Sequence, residues 1–288
     1  MPTLPYHVVD VFTDRPFAGN PLAVVLDADD LPTSALQAIA REFHLSETAF
    51  PMRSTVADYR LRIFTPIEEL PFAGHPSVGT AWLLASLRRL RYGAVTQECG
   101  AGVLPVEVTE TGATLTGGPP TYGGPLDHTP LLPVLGLEGR DMAGTAPRVA
   151  GCGVSFLYVH VRPDAVARLS SPDDGAVRSV VAPVGALGIV AVAWDAGARR
   201  AHARVFVPGI GEDPATGAAA VGLGVFLAAS ELVPADGTAA YTVIQGAEIH
   251  RPSTLEGSVS RVDGAVTHAT VGGSVAHVAT GELLRPPA

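Results

Sequence analysis

Alternating hydrophobic and polar residues predict a chain dominated by β-strands, with few helices. The predicted strands are short apolar or alternating segments bounded by Gly, Pro, Asn or Asp. A turn at Gly19-Asn20-Pro21 is expected to join the first two of them. The predicted strands are Val8–Phe12, Leu22–Leu26, Val103–Val108, Gly153–Val161, Ile189–Trp194 and Tyr241–Ile244.

A helical spacing of apolar residues occurs at residues 33–43. Thr33 or Ser34 precedes this run and is expected to cap the helix, because their hydroxyls can accept from free backbone N–H groups. The apolar face of this helix comprises Leu36, Ile39, Ala40 and Phe43.

The chain also repeats itself. Residues 59–66 (YRLRIFTP) resemble residues 201–208 (AHARVFVP), and both segments end in Phe-x-Pro. Further along, residues 73–81 (AGHPSVGTA) match residues 211–219 (GEDPATGAA). Each half is therefore expected to contain a strand, a turn, a short loop and then an apolar helix.

In this alignment His75 of the first copy matches Asp213 of the second, at the start of each predicted helix. Proline fits the first helical turn, and nearby glycines leave backbone N–H groups open to an anion. An old duplication without function would give the same pattern. We favour a functional interpretation, in which two facing helix starts form a cleft for a carboxylate, because both copies place an ionisable residue there.

Three residues could carry proton transfer. Glu47 enters an apolar segment, and burial would raise its pKa toward the range that a general acid or base needs. Taken singly, Glu47 could be a solvated carboxylate, His75 a structural histidine and Asp213 a helix cap. Together they supply a base, a second proton-handling group and an orienting carboxylate.

Other chemistries find little support in the sequence. Arg251, after Gln245-Gly246, could face a substrate carboxylate or equally form a structural ion pair. The nine histidines lack metal-site spacing, and no dinucleotide fingerprint or Gly-x-Ser-x-Gly elbow is present. Cofactor-free proton transfer on a small carboxylate is the interpretation that survives.

Composition argues against further functional classes of protein. The formal charge is −9, which does not favour nucleic-acid binding. The chain has no lysine, since all 19 basic residues are arginine, and therefore no Schiff-base or P-loop lysine. Residues 1–9 carry no Lys or Arg of a signal peptide, and the apolar stretch 180–194 is short for a bilayer span. A cytoplasmic protein without membrane or nucleic-acid partners is expected.

At these residues the chain resembles the PhzF family of phenazine-biosynthesis isomerase-like proteins. The resemblance covers nearly the whole chain, and its motifs occur in the expected order. They are Asp10-Val-Phe-Thr, Phe17-Ala-Gly-Asn-Pro-Leu-Ala-Val-Val, Leu45-Ser-Glu-Thr-Ala-Phe, Arg62-Ile-Phe-Thr-Pro, Phe72-Ala-Gly-His-Pro-Ser-Val-Gly-Thr-Ala, Glu212-Asp-Pro-Ala-Thr-Gly, Gln245-Gly and Arg251-Pro-Ser.

The resemblance implies an α+β, diaminopimelate-epimerase-like fold of two pseudo-symmetric domains, each a β-barrel-like sheet around a central helix. The halves would be residues 1–117 and 118–274, with 275–288 as a candidate to return to the first half. Gly117–Pro125 is the Gly/Pro-rich boundary segment. The family further implies a homodimer without cofactor or metal.

By the same resemblance, Glu47 would remove and return a proton, assisted by His75 and Asp213. The best-known family member isomerises trans-2,3-dihydro-3-hydroxyanthranilate. The activity implied for this chain is therefore a cofactor-independent isomerase that shifts a proton in a small unsaturated amino-acid-like carboxylate of secondary metabolism. Backbone N–H groups near Gly74 and Gly217 would bind the carboxylate. The implied substrate-binding residues are Asn20, Ser46, Gly74, Gly217, Ala218 and Arg251.

The chain departs from the phenazine-isomerase pattern at two positions. Ala218 replaces a serine, and His250 replaces a glycine before Arg-Pro-Ser. These departures leave open an isomerase of another dienoic amino-acid precursor, or a non-catalytic binding protein on the same fold. A two-thiol epimerase is disfavoured, because neither helix start contains a cysteine and the only two, Cys99 and Cys152, lie elsewhere.

Overall fold

The computed structural model describes residues 2–286, which form 17 strands and six α-helices. The strands are β1 (Thr3–Val11), β2 (Asn20–Val25), β3 (Glu47–Met52), β4 (Tyr59–Phe64), β5 (Glu69–Leu70), β6 (Gly93–Cys99), β7 (Gly102–Val108), β8 (Gly112–Thr116), β9 (Pro120–Tyr122), β10 (Arg148–Cys152), β11 (Ser155–His160), β12 (Ile189–Asp195), β13 (Arg200–Val207), β14 (Gly211–Asp213), β15 (Gly237–Gln245), β16 (Ser253–Val262) and β17 (Ala265–Leu284). The helices are α1 (Thr33–Phe43), α2 (Gly74–Ser86), α3 (Leu131–Leu135), α4 (Pro163–Arg168), α5 (Asp174–Val181) and α6 (Gly217–Ala229).

These elements fall into two compact units. The first contains the described residues up to Thr116 and those from Gly272 onward, and the second contains Gly117–Val271. In the first unit, eight strands pair in a closed ring, in the order β1, β2, β3, β4, β6, β7, β8 and β17. The β2–β3 and β4–β6 pairs are parallel, because helical connections separate those strands.

Helix α2 is buried on nearly every side within the first unit, contacting β1, β2, β3, β7 and β8. A glycine permits its close approach to the strands. A Cβ atom on Gly79 would lie 2.7 Å from Cγ2 of Val11 and 2.8 Å from Cδ2 of Leu22. The predicted apolar helix is confirmed, and it is buried on almost every side because the strands surround it.

Helix α1 packs on the outside of the first unit through Leu36 and Ile39, which meet Phe50 and Phe64 in a small core. The predicted helix is confirmed, but the predicted cap is wrong. The N-cap residue is Pro32, and no side chain caps the helix. The hydroxyl oxygen of Thr33 instead accepts a hydrogen bond of 2.9 Å from Arg62.

The second unit repeats the connectivity of the first. β11 pairs parallel with β12, β12 antiparallel with β13, and β13 parallel with β15, as β2, β3, β4 and β6 do in the first unit. Helix α6 is the buried counterpart of α2. The hydroxyls of Tyr158 and Tyr241 donate to its carbonyl groups at Ala219 and Ala220, over 2.7 and 2.9 Å.

The repeat extends to one ion pair in each unit. Arg62 on β4 makes a two-pronged contact with Glu69 of β5, through hydrogen bonds of 2.7 and 2.6 Å. Arg204 on β13 makes the same contact with Glu212 of β14, over 2.8 and 2.6 Å. The second pair is much more deeply buried, with 5% and 4% of the side chains exposed against 14% and 37% in the first.

The six predicted strands are confirmed, with ends shifted by up to five residues, and so is the fold class of a barrel-like sheet around a central helix. The predicted Gly-Asn-Pro turn is wrong. Asn20 and Pro21 belong to β2, where they pair with Val11 and Asp10 of β1. None of the helices between residues 2 and 286 has the length and hydropathy required to cross a bilayer.

Candidate active site

Glu47 is the first residue of β3, and it is reached through a left-handed turn after α1. His44 caps the end of α1 with a φ of 51°. Parallel pairing of β2 with β3 places Glu47 opposite Leu22. Only 9% of Glu47 is exposed. Burial raises the pKa of its carboxyl group to about 7, and a hydrogen bond with Ser46 opposes part of that rise.

Two polar residues accompany Glu47. Asn20, at the first position of β2, is fully buried. The half-buried Ser46 donates a hydrogen bond of 3.2 Å to Oδ1 of Asn20. The structure thus brings two predicted substrate-binding residues, Asn20 and Ser46, together beside the predicted base.

His75 completes this set. It lies in the first turn of α2 and is 3% exposed. Its Nδ1 atom is 3.4 Å from Oε2 of Glu47. That oxygen is buried and accepts no hydrogen bond from the residues described. A small shift of either side chain toward the other, or protonation of the imidazole, would turn the contact between Nδ1 and Oε2 into a hydrogen bond. The two groups can therefore exchange a proton.

The N-terminus of α2 has no side-chain cap and no acidic residue in its first turn. Its N-cap residue is Ala73, followed by Gly74 as the first helical residue. The first backbone N–H groups of a helix have no partner within the helix and carry the positive end of its dipole. This helix start therefore suits an anionic ligand or a negative charge that develops during a reaction.

A buried chain of hydrogen bonds fixes that helix start. The hydroxyl of Tyr59 donates to Oε1 of Gln97 over 2.8 Å, and Nε2 of Gln97 donates to Ser77 over 2.9 Å. The Ser77 hydroxyl then donates to the carbonyl group of Ala73 over 2.9 Å. Sequence reasoning missed these residues, since Tyr59 and Gln97 are 38 positions apart and only the motif serine offered a signal.

A tight loop, residues 12–19, precedes Asn20. The left-handed backbone of Phe12, Phe17 and Gly19 shapes it, with φ values of 66°, 65° and 67°. The carboxylate of Asp10, only 2% exposed, accepts a 2.6 Å hydrogen bond from the backbone N–H of Phe17. Asp10 holds this loop in place. In the sequence it appears only as part of a motif, and the available signal was an aspartate followed by a Gly-containing loop.

The second unit holds a separate polar set around Asp213, the last residue of β14. Asp213 is 7% exposed, and the hydroxyl of Thr216 donates to its Oδ2 atom over 2.5 Å. Nε2 of Gln245 donates to the Asp213 carbonyl over 2.7 Å, and Oε1 of Gln245 accepts from the Thr216 N–H over 3.2 Å. Thr216 was missed, although its place three residues after Asp213 is typical of a local side-chain contact.

Helix α6 begins at Gly217, with Ala218 second, and its N-terminus also lacks a side-chain cap. Close by, the backbone at Gly246 turns with a φ of 77°. A Cβ atom there would lie 2.5 Å from the Pro214 carbonyl oxygen, so only glycine fits without a shift. The half-buried Arg251 follows this turn, and its N–H donates to the Gly246 carbonyl over 2.9 Å.

His250 adopts a left-handed conformation with a φ of 60°. This conformation explains why a glycine suits the position in the family pattern, because a residue with a Cβ atom is strained there. In this chain the left-handed position is occupied by histidine.

The two thiols do not belong to either set. Cys99 ends β6 in the first unit, and Cys152 ends β10 in the second. Both are buried, and burial raises the pKa of Cys99 and raises that of Cys152 to about 12. Thiolates are therefore scarce at neutral pH, as expected for two structural cysteines. Between residues 2 and 286, no three or more His, Cys, Asp or Glu residues cluster as a metal site.

The predicted residues thus form two sets. Asn20, Ser46, Glu47, Gly74 and His75 come together in the first unit. In the second unit, the set comprises Asp213, Gly217, Ala218 and Arg251. Each set contains an ionisable side chain and an uncapped start of a buried helix. The first set can remove and return a proton, and both helix starts can bind an anion.

Comparison with known proteins identifies the family of the chain. The family model described as "Phenazine biosynthesis-like protein" matches residues 9–281. The chain is 33% identical over 279 residues to the uncharacterized isomerase YddE of Salmonella typhimurium, covering 93% of this chain and 94% of that protein. It is 35% identical over 276 residues to the trans-2,3-dihydro-3-hydroxyanthranilate isomerase of Pseudomonas aeruginosa, covering 89% and 92%.

Solved structures give the same result. A phenazine biosynthesis protein of the PhzF family from Bacillus anthracis superposes with a TM-score of 0.89 at 28% identity, over 99% of this chain and all of that chain. A hydroxyproline epimerase from Agrobacterium vitis shares the fold alone, with a TM-score of 0.68 at 12% identity over 99% and 94% of the two chains. The chain therefore belongs to the PhzC-PhzF family, the phenazine biosynthesis-like proteins, and is an isomerase.

Proposed function

We propose that the chain is a cofactor-independent isomerase that moves a proton within a small, unsaturated, amino-acid-like carboxylate. The observation that carries the proposal is the buried Glu47 carboxyl, with a pKa raised to about 7 and an imidazole 3.4 Å away. A carboxyl group with such a pKa populates both protonation states at neutral pH. It can therefore accept a proton in one step and return it in the next.

The reaction balances without an added reagent. The carboxylate of Glu47 takes a proton from an sp3 carbon of the substrate, and the electrons of the broken C–H bond form a new C=C bond. The adjacent π system shifts, and the proton returns to its far end. Product and substrate have the same atoms and oxidation level, so the reaction needs no oxidant, reductant or cofactor.

The other residues have defined roles in the proposal. His75 exchanges a proton with Glu47 and stabilises charge beside it. Asp213, held by Thr216, orients an amino or hydroxyl group of the substrate. The backbone N–H groups at Gly74 and Gly217 bind the carboxylate and developing negative charge. Asn20, Ser46, Ala218 and Arg251 are the remaining proposed substrate contacts.

The position of Ala218 bears on which substrate is used. The phenazine-isomerase pattern has a serine there, and a lost hydrogen bond to a carboxylate costs about 1 kcal/mol or more. If the substrate resembles that of the Pseudomonas relative, Ala218→Ser should raise kcat/KM toward trans-2,3-dihydro-3-hydroxyanthranilate by about fivefold. No gain would point to a different dienoic amino-acid precursor.

Turnover of a compound panel tests the proposal. The panel contains trans-2,3-dihydro-3-hydroxyanthranilate and other cyclic and acyclic dienoic amino acids, followed by chromatography and mass spectrometry. We expect conversion of at least one compound to an isomer of equal mass by the wild type and by Glu42→Gln, which changes an exposed glutamate. Glu47→Gln should convert none.

A binding protein that kept the fold and lost turnover is the second candidate, favoured by Ala218 and His250. Thermal stabilisation by a panel compound, with no conversion by the wild type at any pH, would support it and contradict the proposal. The proposal also includes a homodimer, a cytoplasmic location and a place in secondary metabolism. Light scattering tests the first, because a monomer has a mass of 29.6 kDa.

A further inference from the structure

Two histidines on adjacent strands of the first unit bring their rings into direct contact. Nδ1 of His7, on β1, lies 3.1 Å from Nε2 of His277, on β17. The hydroxyl oxygen of Thr280 lies 3.2 Å from the first nitrogen and 3.1 Å from the second. The three atoms therefore form a nearly equilateral triangle of two imidazole nitrogens and one oxygen.

A β-bulge creates this triangle. Thr280 pairs with His7, whereas His277 pairs with Val9, and the register shifts between them so that Val278 is an extra residue. In a regular strand, residues three positions apart point to opposite faces. The bulge brings His277 and Thr280 onto the face that His7 occupies, which is how bulges re-aim side chains elsewhere.

Hydrogen bonds alone cannot satisfy all three contacts. A neutral imidazole nitrogen either donates one hydrogen bond or accepts one in the ring plane, whereas the hydroxyl can do both. Thr280 can thus donate to one ring and accept from the other, and the 3.1 Å contact between the rings is left over. A cation at the centre would instead receive a lone pair from each of the three atoms.

The dimensions match a first-row metal ion. Two nitrogens bound to tetrahedral zinc at their usual distance are separated by about 3.3 Å. The observed separation of 3.1 Å needs only a small opening. His277 is exposed, so water can fill the remaining coordination positions. Burial, with His277 as a second cause, lowers the pKa of His7, which favours the neutral ring that metals bind.

We propose that His7, His277 and Thr280 form a binding site for a divalent first-row transition metal such as Zn²⁺, Co²⁺ or Ni²⁺. The imidazoles are the main ligands and the hydroxyl is a weaker third. The positive charge of Arg89 acts on His7, and Arg89 is itself paired with Asp27 over 2.7 Å. The site shares no residue with the pair of Glu47 and His75 and does not depend on the proposed function.

Titration of the untagged, metal-free protein with Co²⁺ and Zn²⁺ tests the proposal, through cobalt absorption and calorimetry. We expect one equivalent to bind and to raise Tm. His277→Gln and His7→Gln should each abolish that binding, because an amide can keep the hydrogen bonds but is a poor ligand for these ions. His268→Gln is the matched control, since His268 is also exposed and also contacts a threonine, over 3.2 Å, but contacts no second imidazole within residues 2–286.

The titrations of the wild type and the variants either support or overturn the proposed metal site. Binding lost in His277→Gln and retained in His268→Gln supports the site, provided that circular dichroism shows His277→Gln to be folded. Wild-type protein that binds no equivalent overturns it. Binding unchanged in His277→Gln, or weakened equally by His268→Gln, also overturns it, because the ion would then be held by surface histidines in general.

Discussion

Oε2 of Glu47 lies 3.4 Å from Nδ1 of His75, and both side chains are almost completely buried. The two residues come from different elements, the first position of β3 and the first turn of α2. A carboxyl group and an imidazole in a dry environment share protons readily, because each stabilises the charged form of the other. This relationship underlies the predictions on activity.

The activity should depend on the protonation of Glu47. A general base must be ionised in the free enzyme, so kcat/KM should rise as pH increases through about 7, the pKa of Glu47. The measurement is a pH profile of kcat/KM with any compound that the wild type converts. A profile that is flat between pH 5.5 and 8.5, roughly the span over which such a group titrates, would contradict the assignment.

The same pKa has a consequence for stability. The pKa is about 7 in the folded protein and 4.5 ordinarily, so between these values the folded state holds a proton that the unfolded chain has released. The protonated carboxyl group therefore makes its full contribution to the free energy of unfolding below pH 4.5. This contribution is lost as pH rises through 7. At pH 8, Glu47→Gln should therefore raise the free energy of unfolding by up to about 3 kcal/mol.

Urea denaturation of the wild type and Glu47→Gln measures this difference at two pH values. The first, pH 4.5, equals the ordinary pKa of the carboxyl group, and the second, pH 8, lies about one unit above its pKa in the folded protein. Glu42→Gln provides the control and should change little at either pH. Equal stability of Glu47→Gln and the wild type at both pH values would show that the carboxyl group is not perturbed.

Ser77→Ala should destabilise the start of α2. The substitution leaves the buried Nε2 of Gln97 and the carbonyl of Ala73 without their hydroxyl partner. An unsatisfied buried polar group costs roughly 1–3 kcal/mol. Denaturant unfolding gives the loss, and the exposed Ser179→Ala serves as the control. A loss of less than about 0.5 kcal/mol, the range of ordinary surface substitutions, would contradict a supporting role for this chain of hydrogen bonds.

The two related ion pairs should respond unequally to the same substitution. Arg204→Met leaves Glu212 buried without its partner, which should cost roughly 3–5 kcal/mol. Arg62→Met leaves the partly exposed Glu69 without its partner. Because water can solvate that carboxylate, the loss of unfolding free energy should be about 1 kcal/mol or less. Unfolding free energies of the two variants test this ranking, and equal losses would contradict it.

Sequence reasoning located the repeat and the two helix starts because, in each copy, the Phe-x-Pro segment lies close in the chain to the matching segment, residues 73–81 or 211–219. It likewise placed Glu47 and His75 in one proton-transfer set. The enclosure of α2 and α6 by strands was predicted by the family resemblance alone, since spacing within a helix does not reveal that strands surround it. The chain of Tyr59, Gln97 and Ser77 depends on pairing of distant strands, which one sequence does not show.

Local sequence also misled in two places. Thr33 or Ser34 was expected to cap α1, but neither side chain does, and the Thr33 hydroxyl oxygen accepts from Arg62, a residue 29 positions away. Asn20 and Pro21 were expected to turn the chain, yet pairing with β1 extends them. In both cases a contact made by another strand outweighed the local preference. The roles of Asp213, Gly217, Ala218 and Arg251 in substrate binding stay predictions.

The most direct test of the central claim is the rate at which solvent deuterium enters the product in D2O, measured by mass spectrometry with a converted compound. The wild type and Glu42→Gln should form product and incorporate deuterium at carbon at similar rates. Glu47→Gln should fold normally and show neither product nor deuterium. Undiminished product formation and deuterium incorporation by folded Glu47→Gln would contradict the claim that Glu47 carries the proton.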